Sequence, residues 1–169
     1  MLMASETIIK IMADGLVIPI VLIAAYALLF KLKDNKRYEA YCRILMAGLT
    51  AYLLAKLLGT LYQPAGERPF ELLGTEPGAS YLNNPGFPSD HALFTAAITF
   101  AVWFESRSRK LAITVGVLTI LVSVGRVLAL VHTPLDVIGG IVVAAVGAAW
   151  YLNVRMVGVK KRLISKLSS

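Results

Sequence analysis

Apolar residues gather along this chain in five long stretches, at 16–30, 44–62, 92–104, 111–131 and 135–154, separated by polar, Pro- or Gly-bearing breaks. A helix needs about 20 apolar residues to cross the hydrocarbon layer of a bilayer, so the pattern predicts five membrane-spanning helices in one bundle. The third stretch is short for this unless its helix begins at Ser89 and runs on to Glu105. Ahead of the first, Ile8, Ile11 and Met12 share one helical face, while Glu6, Lys10 and Asp14 recur every fourth residue on the other, and Gly15 ends the alternation. That predicts a short amphipathic helix over 1–14 lying in the membrane interface. The alternative is the start of a longer first span. In the last stretch Gly140, Ala144 and Ala148 repeat at every fourth position, the small-residue spacing that lets membrane helices pack closely.

Composition agrees with an all-α integral membrane protein. The 169 residues are 57% hydrophobic with a mean hydropathy of +0.71, which excludes an ordinary soluble domain. We expect a single domain over 1–169. The start does not read as a secretory signal, because Glu6 and Asp14 interrupt it and no small-residue cleavage site follows. Cys42 is the single cysteine, so neither an intrachain disulfide nor a cysteine-based metal site is possible.

The net charge of +7 matters through its placement. Lys31, Lys33, Lys36, Arg37 and Arg43 follow the first stretch. Arg107, Arg109 and Lys110 follow the third, and Arg155, Lys160, Lys161, Arg162 and Lys166 follow the fifth. Basic residues at alternate ends are a positive-inside signal rather than a nucleic-acid surface. They predict a multi-pass protein of the cell membrane with an outer N-terminus and a basic cytoplasmic tail over 155–169. The connection 63–88 and the turn at His132, Thr133 and Pro134 then face outward. Glu67, Glu71 and Glu76 read as the solvated rim of that outer loop.

Outside the clusters only Lys10, Lys56, Arg68 and Arg126 remain. Lys56 and Arg126 lie within apolar stretches, where an unpartnered charge costs several kcal/mol and marks a functional site by default. Lys56 has a bland alternative, reaching the interface along its own stem. Arg68, before Pro69, reads by itself as a solvated loop arginine. Thr133 and Pro134 form a strong helix start, with His132 just outside it and Asp136 in its first turn. Asp136 either orients the imidazole or completes a capping box with Thr133. Ser89 reads as the N-cap of the third helix, whose free N–H groups suit an anion, with Asp90 and His91 in its first turn.

Lys56, Arg68-Pro69, Pro88-Ser89-Asp90-His91 and Arg126, His132 and Asp136 together resemble the three-part signature of the type 2 phosphatidic acid phosphatase superfamily. In the third part the Arg, His and Asp spacings agree, while Gly125 stands where the family carries Ser. Asp90 stands where the family carries Gly, putting a carboxylate near the phosphate unless it points away or pairs with a cation. Eleven residues separate Lys56 from Arg68, more than the family has. The resemblance implies a lipid phosphatase with His132 as nucleophile, Asp136 as its orienter and His91 as acid and base. It makes Lys56, Arg68, Ser89, Asp90 and Arg126 the phosphate site. No cofactor is expected, since the cations supply the charge neutralisation that phosphoryl transfer needs and no ligand cluster suggests a metal. Undecaprenyl diphosphate is the leading substrate, because small bacterial relatives with an outward site have a similar size and layout. Phosphatidylglycerophosphate, phosphatidic acid and lipid A are alternatives. An anionic-lipid-binding protein or transporter would explain Lys56 and Arg126 but not both histidines. Haloperoxidases share a similar anion cradle but are soluble.

Overall fold

The computed structural model describes residues 2–32, 37–62, 68–82, 84 and 86–152, with side chains from Ser5 onward. Its helices are α1 (Leu2–Lys10), a π-helical turn (Ile11–Gly15), α2 (Val17–Phe30), α3 (Arg37–Leu61), the single turn α4 (Pro69–Leu72), α5 (Asp90–Glu105), α6 (Arg109–Leu128) and α7 (Pro134–Gly147). No strand is present among the described residues. Four helical segments, Ser5–Phe30, Arg37–Leu61, Arg109–Leu128 and Pro134–Leu152, are long and apolar enough to span a membrane. The protein is an all-α membrane protein.

Helix α5 occupies the centre, packed against α2, α3, α6 and α7. It starts at Asp90 and ends at Glu105, as the extended reading of the third stretch requires. The helices meet through small residues. Ala24, Ala27, Ala47, Ala51, Ala55, Ala92 and Ala96 are buried, while Ile18, Leu22, Leu53, Leu57, Ile113, Ile120 and Ile138 point outward. This inversion suits a lipid solvent, in which close backbone approach stabilises the bundle. The Gly140, Ala144 and Ala148 stripe does this work. A Cβ on Gly140 would lie 2.7 Å from the carbonyl oxygen of Ser89, and Ala144 and Ala148 are buried.

Several polar groups inside the bundle are paired across helices. Thr99 and Thr119 share a hydroxyl–hydroxyl bond of 2.9 Å, and Thr119 Oγ1 donates to the Thr95 carbonyl at 3.1 Å. Arg43 grips Glu105 with two parallel bonds, Nε to Oε1 at 2.7 Å and Nη2 to Oε2 at 2.8 Å, tying α3 to α5. The sequence pattern grouped Arg43 with the first basic cluster; in the fold it also clamps two helices together. Nearby, the Arg107 N–H donates to the Lys31 carbonyl at 2.6 Å, so the ends carrying the first two basic clusters adjoin. Lys33, Lys36 and the whole cluster at 155–166 lie outside the described residues.

Two expectations are corrected. Residues 2–14 do not form a helix set apart by Gly15. The Leu16 N–H bonds back to Ile11 O at 3.0 Å, an i→i−5 bond that carries the helix through a π turn, and the longer first span results. The fourth helix stops at Leu128 rather than Val131, because Leu130 adopts φ 59°.

Candidate active site

The reversal between α6 and α7 builds the first half of the site. A left-handed non-glycine residue costs about 1–2 kcal/mol, and Leu130 is held there by the loop packed over it. Gly78 N–H donates to Ala129 O at 3.0 Å, Phe70 N–H to Leu130 O at 3.0 Å, and Arg68 Nη1 to Val131 O at 2.6 Å. Three consecutive carbonyls are thereby satisfied. His132 follows at 5% exposure. Thr133 then caps α7, its hydroxyl accepting from Asp136 N–H at 3.2 Å while Asp136 Oδ2 accepts from Thr133 N–H at 2.7 Å. The same Oδ2 lies 3.6 Å from His132 Nδ1. Capping box and histidine partner are thus one carboxylate in two roles. At 3.6 Å the pair is an electrostatic contact, too long for a hydrogen bond.

The second half begins where Ser89 N–H donates to Asp136 O at 2.9 Å, bringing the start of α5 onto the start of α7. Ser89 sits at the N-cap position but its hydroxyl makes no capping bond; it is buried without a partner. His91 and Asp90 follow in the first turn. Asp90 pairs with Lys56 at 3.5 Å, so its charge is partly offset by a cation.

Arg68, Asp90, His91, Arg126 and His132 converge on a cavity of about 260 Å³, completed by Ser80, Tyr81, Leu82, Asn84, Gly86 and Pro88. Lys56 does not line it; it lies in the adjoining groove with Asp90. Ser89 and Asp136 stand behind the wall. Arg68 is buried, with Nη2 donating to Leu82 O at 3.0 Å and to Asn84 O and Oδ1 at 3.1 and 3.0 Å. It pins the loop while adding its charge to the cavity. Glu71 is exposed and accepts from the Arg68 N–H at 2.7 Å, closing α4 as well as forming rim; Glu76 is exposed, and Glu67 lies outside the described residues.

Arg126 is 1% exposed and has a partner that the motif comparison did not name. Its Nη1 donates to Asp14 Oδ1 at 2.8 Å, and that oxygen lies 3.7 Å from His91 Nε2. The signal existed in the sequence, since Asp14 is an acid beside an apolar span, but it read as one corner of an amphipathic face.

Burial draws the His132 imidazole below its ordinary range, helped by Arg126 and Arg68 and opposed by Asp136. A neutral imidazole with Nδ1 turned to a carboxylate leaves the other nitrogen free as a nucleophile. A second histidine, a buried guanidinium and a second cation border the same cavity, so the arrangement suits attack on a phosphorus centre.

The model of the PAP2 superfamily matches residues 40–158. Comparison with curated proteins and with solved structures gives no match.

Proposed function

The chain belongs to the PAP2 superfamily, whose members are phosphatases acting on lipid-like phosphates, and from that premise we propose that it hydrolyses a membrane lipid phosphate or diphosphate through a phosphohistidine. His132 attacks phosphorus, and the bond to the leaving oxygen breaks. Protonated His91 gives that oxygen its proton. Water then attacks the phosphohistidine, His91 takes the water's proton, and inorganic phosphate and free His132 result. Arg126 and Arg68 offset the charge on the phosphoryl oxygens. No metal enters the reaction.

The observation that carries the lipid reading is a groove of about 390 Å³ between α3 and α5, lined by Gly48, Ala51, Tyr52, Leu93, Phe94 and Ala97. It shares Leu82 and Asp90 with the catalytic cavity, so an apolar chain in the groove puts its head group at the histidines. Undecaprenyl diphosphate is the substrate we favour. Phosphate release from matched lipid monophosphates and diphosphates in detergent tests this; no release from any of them sinks the phosphatase reading, and release from short soluble esters alone sinks the lipid one. We further propose that the site faces away from the cytoplasm. Glu76→Cys in a Cys42→Ser background then reacts with an impermeant thiol reagent in intact cells. Reaction only after lysis reverses the orientation.

A further inference from the structure

The Asp14 carboxylate touches three parts of the site from behind. Oδ1 accepts from Arg126 Nη1 at 2.8 Å and lies 3.7 Å from His91 Nε2, while Oδ2 accepts from the Ser80 N–H at 2.9 Å. Arg126, His91 and Ser80 all line the cavity; Asp14 does not. Arg126 Nε stays buried without a partner, so Asp14 holds one edge of the guanidinium and leaves another donor unspent.

Two local features bring Asp14 there. The π turn Ile11–Gly15 contains it, and such turns widen a helix and redirect a side chain. Opposite the turn stands Gly125, where a Cβ would lie 2.6 Å from Ala13 N and 2.8 Å from Met12 C. Both are backbone atoms that cannot swing aside. The glycine that replaces the family's serine therefore admits the turn that carries Asp14.

We propose that Asp14 is a positioning residue of this active site, one carboxylate that sets the pose of Arg126 and gives His91 the anionic partner that Asp136 gives His132. The proposal rests on the phosphatase reading above. His91 must be protonated to release the leaving oxygen. Burial disfavours its charge most, followed by Arg126 on α6 and His132 on the α6–α7 turn; Asp14 favours it, as does Asp90 on its own helix. Without Asp14 the balance moves toward a neutral His91 and a less constrained Arg126.

Asp14→Asn keeps an acceptor oxygen for Arg126 and removes the charge. We expect kcat/KM to fall about 10- to 100-fold, the size of effect seen when an outer-shell partner of a metal-bound histidine is lost. The alkaline limb of the rate profile should move to lower pH, and a lipid monophosphate should lose more rate than an activated aryl phosphate. Asp14→Glu should recover part of the loss. Orthovanadate binding, followed by thermal shift, should weaken in Asp14→Asn, a readout independent of turnover. Glu6→Gln, an exposed change on the same helix, is the control with wild-type behaviour. An Asp14→Asn protein with an unmoved alkaline limb and equal losses on both substrates, or one that does not fold, makes Asp14 a structural bridge and overturns the proposal. A wild-type protein inactive on every lipid phosphate defeats the phosphatase reading instead, and orthovanadate binding then still decides the role of Asp14.

Discussion

The site contains two aspartate–histidine pairs at nearly equal distance, built in opposite ways. His132 and Asp136 are 3.6 Å apart and four residues apart in the chain. Their geometry follows from one helix start, where Thr133 and Pro134 fix the first turn of α7 and with it the carboxylate. His91 and Asp14 are 3.7 Å apart and belong to different helices. Their geometry follows from packing: a π turn against Gly125 on α6, and α5 against Gly140 on α7. The local pair is insulated from changes elsewhere, whereas the distant pair registers any shift of the first span. The local pair serves the proposed nucleophile, and the distant pair serves the proposed proton donor.

Changes at the two histidines should have the largest effects. His132→Ala is expected to abolish phosphate release from a protein that remains folded and monodisperse, and activity near the wild-type level would remove it as nucleophile. His91→Ala should slow release by about 10²–10⁴-fold, the range for losing a general acid. The loss should be smallest for acidic leaving groups; equal losses on an aryl phosphate and a lipid monophosphate would deny the proton-transfer role.

Gly125→Ser breaks the distant pair without touching either member. It should push the π turn off α6, reproduce the alkaline shift expected of Asp14→Asn and leave the acid limb in place. An unchanged profile in a folded Gly125→Ser protein would uncouple the glycine from Asp14.

The acid limb reports on the local pair. Because burial holds His132 below its ordinary value of 6.5, nucleophile and activity should persist below pH 6.5 and fail only as the folded-state imidazole gains its proton. The same sign applies to stability. The unfolded chain takes up that proton first, so stability declines as pH falls through the unfolded value. Arg68→Gln removes a charge that disfavours the imidazolium and should move the acid limb upward; a downward shift would contradict the electrostatic assignment.

Asp90→Gly should do least. The Lys56–Asp90 pair is about half exposed on the lysine side and over a third on the other, and exposed pairs are worth about 1 kcal/mol or less. A modest loss on every substrate is expected. A selective gain on diphosphates would show instead that the carboxylate faces the phosphate.

What the sequence made legible divides along the same line. The all-α membrane architecture, the start of α5, the cap of α7 and the small-residue stripe were readable because each depends on residues within a few turns. The pairing of Arg126 was not, although its need for a partner was. Asp14 was misread because alternation of polar and apolar residues predicts a face only for a regular α-helix, and the π turn breaks that register. The Arg43 clamp was hidden for a related reason: a charge near a helix end looks like a topology signal, and its Glu105 partner lies on another helix. Lys56 was correctly seen as a cation within a span, but its nearest partner is Asp90, a contact that depends on how α3 meets α5.

The most direct test of the whole account is to trap the phosphoenzyme. Wild-type protein mixed with a lipid phosphate labelled on phosphorus, quenched in alkali within one turnover and digested, should carry the label on the peptide containing His132. The label should accumulate in His91→Ala on an activated substrate, and be absent from His132→Ala. Label on His91, or none in an enzyme that turns over, would contradict the mechanism.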